Sequence, residues 1–157
     1  MAVESWIDAL VARWATVSDN RGGHVHAYRV YDKADWPDAI GHYPSALTYT
    51  TEDRSYYSLG GPGIDQYRGI TEFHLFPNVN KGNYPELMLY FARIRNAAAG
   101  AITLGGLVAH FLLRTDLPSI QGPVTLQYGG EDPHHGLIVN WEVKESVNDD
   151  AGFAPAA

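Results

Sequence analysis

The last third of the chain constrains the fold more than any other stretch. From Leu104-Gly105-Gly106 onward, Val124, Leu126 and Tyr128 alternate with Thr125 and Gln127, while Leu137, Val139, Trp141 and Val143 alternate with Asn140, Glu142 and Lys144. Successive side chains of a strand point to opposite faces, so this period of two predicts two half-buried strands. Gly122-Pro123 opens the first strand, Gly129-Gly130 turns it, and Gly136 precedes the second. No nucleophile elbow, no glycine-rich phosphate loop followed by a lysine and no catalytic cysteine falls on this scaffold.

A chain of 157 residues with 45% hydrophobic content has the size of one domain able to bury a core. We expect a single domain over residues 1–147 and a C-terminal tail over 148–157. The absence of cysteine excludes a disulfide framework and any thiolate metal site. Met1-Ala2-Val3-Glu4-Ser5-Trp6 lacks the basic region of a secretory signal, so the expectation is a protein made and used without export. From Thr115 onward, seven acids stand against Lys144 alone, which places −6 of the net −7 charge there. Such a surface repels a phosphate backbone and does not grip nucleic acid, although it lets DNA slide past.

The apolar run from Ala97 to Leu113 carries only His110 as an ionisable group. It falls short of the roughly 20 residues a bilayer requires, and Gly100, Gly105 and Gly106 interrupt it. It reads as a helix end, a glycine turn and a buried strand, with no membrane role.

At the front, Val3, Trp6, Ile7, Leu10, Val11, Trp14 and Val17 recur at three- and four-residue spacing, one stripe of an amphipathic helix. Asn20, Gly22 and Gly23 stop it, and 24–31 reads as a strand. Asn83-Tyr84-Pro85-Glu86 has the form of a second helix start, with Asn83 as cap and Glu86 in the capping-box position. Leu87, Phe91, Ile94 and Ala98 follow at helical spacing, with Arg93 and Arg95 toward the carboxyl end. The order helix, strands, helix, strands predicts an α+β fold, with two helices packed on one face of a mostly antiparallel sheet.

Residues 32–69 are rich in Pro, Gly, Tyr and Asp. Their strand patterns are 46–51 and 54–59, joined by Glu52-Asp53 as a hairpin that Gly60-Gly61-Pro62-Gly63 follows. This segment is expected to project from the domain. Its tyrosines, among them Tyr49, Tyr56 and Tyr57, suit either a protein interface or packing on their own sheet.

Seven histidines are the candidates for chemistry. His24 and His26 share one face of a strand, and His134 and His135 form a second pair. If the sheet brought the four together, they would make a zinc-type ligand set for a small metal-dependent enzyme. Hydrogen-bonding histidines in turns are the plainer reading, which leaves no catalytic, cofactor or metal site.

In the order and spacing of these elements the chain resembles the tail terminator, or tail completion, proteins of long-tailed bacteriophages. The resemblance rests on the opening amphipathic helix, the irregular hairpin region, the second helix, the Leu104-Gly105-Gly106 turn and the closing hairpin. That hairpin runs through Gly122-Pro123, Gly129-Gly130 and Gly136, and the likeness is strongest from Asn83 to Glu145. The chain departs from the pattern in the 32–69 insert, in the Glu131-Asp132-Pro133-His134-His135 loop and in its tail. The resemblance implies a non-enzymatic virion protein whose copies form a ring, hexameric in the family. The ring caps the tail tube, docks to the head-proximal connector or stopper and lets DNA through its lumen. Its place would be the head-proximal end of the tail, after assembly in the host cytoplasm. A neighbouring neck or head-tail joining protein is the alternative. Interface candidates are Tyr49, Tyr56 and Tyr57 in the insert and Phe153 in the tail.

Overall fold

The computed structural model describes residues 3–19, 22–29, 43–56, 63–77, 79–100, 102–106, 108, 110–127 and 133–147. Among these residues, two α-helices and six strands make an α+β fold: α1 (Val3–Trp14), β1 (His26–Arg29), β2 (Ser45–Tyr56), β3 (Gly63–Phe76), α2 (Tyr84–Ala99), β4 (His110–Leu113), β5 (Ile120–Leu126) and β6 (His134–Val147). The strands run in the order β1-β2-β3-β6-β4, with β5 also on β6. Every pairing is antiparallel except β1 with β2.

β6 is the spine. One edge pairs with β3 from Gly63↔Val147 to Phe76↔His135. The other edge is shared, since β5 covers His134 to Val139 and β4 covers Trp141 to Lys144. Asn140 sits at the break between them. Its N–H donates to Ser119 O at 2.9 Å, its carbonyl accepts from Arg114 N–H at 2.9 Å, and its side-chain amide donates to Pro118 O at 2.8 Å. One residue thereby satisfies the backbone groups that the interrupted ladder would leave unpaired. Gly136 faces Phe73 so closely that a Cβ there would run into the Phe73 carbonyl.

Both helices lie on one face of the sheet, as the alternation predicts. Leu137, Val139, Trp141 and Val143 are fully buried beneath Trp6, Ile7, Leu10 and Trp14 of α1 and Leu87, Tyr90 and Ile94 of α2. Trp6 meets Trp141 edge-on at 5.8 Å between ring centroids, and Trp14 meets Phe73 at 5.6 Å. Trp141 lies over Gly69, where a Cβ would strike its ring, and its indole N–H donates to Thr71 Oγ1 at 3.1 Å.

Several local expectations change. α1 ends at Trp14, and a turn rather than a further helical turn buries Val17. Asn83 closes a 3₁₀ turn with φ −79° and ψ −17° and makes no side-chain capping bond. A residue already in helical conformation does not aim its side chain at the first-turn N–H groups as an extended cap does. At the other end of α2, the cation that meets the last carbonyls comes from α1: Arg13 Nε donates to Ala97 O at 2.7 Å. Arg93 instead reaches Ser18 O at 3.1 Å.

Glu52-Asp53 is not a turn. The two short strands expected around it are the single strand β2, which carries a bulge between Thr50 and Glu52 and whose hairpin partner is β3. Ser45, Ala46, Leu47 and Thr48 are buried. The described part of 32–69 is therefore built into the sheet: 45–48 lie between β1 and β3, while 49–56 pair with β3.

The turn after α2 is as expected. Leu104, Gly105 and Gly106 have φ of 48°, 73° and 88°, a left-handed run that the two glycines adopt without a Cβ penalty and that Leu104 holds by burying its side chain. Gly129, Gly130, Tyr57, Phe153, the tail 148–157 and the side chain of Tyr56 lie outside what is described. Among the described residues no helix is long and apolar enough to cross a membrane.

Candidate functional site

Alternation sends the other half of each strand to the face that carries neither α1 nor α2. Leu47 is buried there against Tyr28, Tyr43 and Tyr49. Beside this small cluster, five polar side chains from three parts of the sheet form one hydrogen-bonded chain. Tyr49 donates to Glu72 Oε2 at 2.5 Å, and Glu72 Oε1 lies 3.2 Å from His74 Nε2. His74 Nδ1 lies 2.9 Å from His134 Nδ1, and His134 Nε2 lies 2.8 Å from the Tyr43 hydroxyl. His74 and His134 are only 0% and 2% exposed, so each ring depends on protein partners instead of bulk water.

Strand register assembles this chain. Glu72 and His74 are two apart on β3 and share a face, and Tyr49 sits one strand over, since Leu47 pairs with Glu72 and Ser45 with His74. His134 begins β6 beyond the other edge of β3, and Tyr43 precedes β2.

The electrostatics follow from that geometry. Burial pushes the Glu72 carboxyl up, but the hydrogen bonds from His74 and Tyr49 outweigh it and hold it below the usual carboxylate range. Burial and the bonded, charged Glu72 together drive the Tyr49 phenol well above its ordinary value. Glu72 is thus the anion of the cluster and Tyr49 a fixed donor. Tyr43 also lines a small cleft between the end of β3 and α2, whose walls include Pro44, Leu75, Phe76 and Tyr90 and whose carboxylates are Asp19 and Glu86.

Further along the same face lies a charge network. Arg68 reaches Glu142 at 3.3 Å, Glu52 at 3.6 Å and Asp116 at 3.8 Å, and Arg114 holds Asp116 with two bonds of 2.9 and 2.5 Å. The Arg114 bonds lower the Asp116 carboxyl to about 2. On the helix-bearing face, at the same end of the sheet, Asp53, Asp65 and Glu145 gather around Tyr67. Burial, and then these three charges, raise the Tyr67 phenol to about 12.

The metal-site expectation is corrected here. His24 and His26 belong to the β1 edge, while β2 and β3 separate that edge from His134 and His135 on β6. His134 and His135 are adjacent on a strand and face opposite ways: His134 joins His74, while His135 lies against Tyr84 at the start of α2 with 5.1 Å between ring centroids. Among the described residues no three His, Asp or Glu side chains are grouped to hold a metal ion.

Of the interface candidates, Tyr49 is half-buried and hydrogen-bonded to Glu72. Sequence reading missed Glu72, His74 and Tyr43 as a set. The available signal was Glu72-Phe73-His74, two polar residues flanking an apolar one inside a buried strand, but their partners come from distant segments. Compared with known proteins, the chain matches no family model and no curated protein.

Proposed function

We propose that this protein is a structural subunit of a bacteriophage virion: a tail terminator whose copies form a ring on the head-proximal end of the tail tube. The reading starts from the resemblance in element order and spacing, and the α+β fold with both helices on one face is compatible with it. The observation that carries it furthest is the placement of exposed apolar side chains. A closed ring needs two different patches on each subunit, because its contacts are heterologous. Tyr84, Met88 and Leu89 of α2 are 44%, 57% and 52% exposed on the helix-bearing side. Leu112, 47% exposed, pairs with Glu142 and so faces the opposite side, with Leu117 exposed nearby. Two such patches on opposite sides of one sheet suit head-to-tail contact between copies.

The charge fits passage of DNA without grip. Asp53, Asp65 and Glu145 crowd at one end of the sheet, and Arg68 and Arg114 are already engaged by carboxylates. The partners of this reading are further copies of the chain, the tail tube protein and the head-proximal connector.

Native mass spectrometry over a concentration series, with and without purified tail tube protein, tests it. A closed ring, or a complex formed only with tubes, is the expected result. A strict monomer that ignores tubes at every concentration overturns it.

A further inference from the structure

The buried chain from Tyr49 to Tyr43 has its protons fixed by its own geometry. Ionised Glu72 only accepts, so His74 carries its proton on Nε2. A neutral His74 then accepts at Nδ1, which requires an N–H at His134 Nδ1 across 2.9 Å. A neutral His134 in turn accepts at Nε2, so Tyr43 points its O–H inward at 2.8 Å. One more proton changes the end of this chain wherever it settles. On His74, it makes Nδ1 a donor, so neutral His134 must move its own proton to Nε2. On His134, it protonates Nε2 directly. Either way His134 Nε2 becomes a donor, and Tyr43 must turn from donor to acceptor.

We propose that Glu72, His74, His134 and Tyr43 form a one-proton switch whose output is the direction of the Tyr43 hydroxyl beside the cleft. With the switch empty, Tyr43 spends its proton on His134. With one proton taken up, the Tyr43 O–H is released from His134 and becomes a donor to acceptors around the cleft, where Asp19 and Glu86 supply carboxylates. The groups that bias uptake come from every neighbouring element. Glu72 on β3 is bonded to His74, and Asp19 and Glu86 line the cleft with Tyr43. On β2, Tyr49 stays a neutral donor to Glu72. From β1, Tyr28 packs on the adjoining Leu47 cluster, and His26 faces the row from its register position opposite Ser45. Because the two imidazoles share one bond, the proton on one ring cannot change place without changing the other.

The test is a side-chain ¹⁵N titration of the two histidines in the intact protein, from about pH 8 to about pH 5, which spans the ordinary imidazole range. The expected result is a neutral state with His74 protonated on Nε2 and His134 on Nδ1, and one shared transition for both rings. Glu72→Gln then shifts the ¹⁵N signals of both rings together, because the acceptor that fixes the proton on His74 Nε2 is gone. Two independent transitions, a neutral His134 protonated on Nε2, or a Glu72→Gln shift confined to His74, each overturns the switch. The tautomers of the unsubstituted protein decide the matter alone if Glu72→Gln does not fold.

Discussion

The two faces of the sheet are made from alternate residues of the same strands, yet they are held by different physics. On the helix-bearing face, Trp141, Val139, Phe73 and Trp14 are all 0% exposed and touch mainly other apolar groups. On the other face, Glu72, His74, His134 and two tyrosines are joined by directional bonds. Apolar burial is tolerant of chemistry and demanding of volume, whereas a buried polar chain is demanding of every donor and acceptor. The first face therefore specifies the fold through its apolar core, and the second holds the hydrogen-bonded chain from Tyr49 to Tyr43.

The largest effect that sharpens this contrast is expected from Trp141→Ala. It should cost ~3–5 kcal/mol in urea unfolding, through lost packing against Trp6 and the loss of the bond to Thr71. A cost under ~1 kcal/mol would break the view that this face carries the fold. Gly69→Ala should follow at ~1–3 kcal/mol, because its Cβ meets the Trp141 ring on one side and the Tyr49 carbonyl on the other.

On the polar face, Tyr49→Phe removes a bond to a charged group and should cost ~1.5–3 kcal/mol near pH 7. Glu72 has its folded carboxyl held below the ordinary value of 4.5, so its contribution is present above that value and fades as pH falls through the lowered one. The stability gap between the unsubstituted protein and Glu72→Gln should shrink in the same acid window, as thermal unfolding across pH would show.

Glu145 has the opposite sign. Burial, with the Asp65 charge adding to it, raises its carboxyl above the ordinary 4.5. Glu145→Gln should therefore raise the melting temperature at pH 7, with the gain vanishing as pH falls through the raised value toward 4.5. A melting temperature that is unchanged at pH 7 would remove the claim of like-charge crowding there. The smallest effect is expected at Arg68→Ala, under ~1 kcal/mol and smaller still at high salt, since its partners are partly exposed.

Much of the helix-bearing face was legible because packing writes periodicity into sequence. The stripe of α1, the second helix and the alternating residues of β6 all follow from spacing. The misreadings have physical causes. Glu52-Asp53 has turn composition, but a bulge accommodates it within β2. The parallel β1–β2 pair and the β4–β6 pair join residues far apart in sequence, and no local pattern encodes which strand a strand will meet. The polar chain was hidden for the same reason. His134 looked like half of a ligand pair with His135, whereas strand alternation separates those two and hands His134 to His74.

The most direct test of the proposed role is tube growth itself. Purified tail tube protein is allowed to polymerise with increasing amounts of this chain, and tube lengths and ends are measured by electron microscopy. The terminator reading predicts shorter tubes that stop growing and carry ring-shaped density at one end only. Length distributions and tube ends unchanged at any ratio would contradict it.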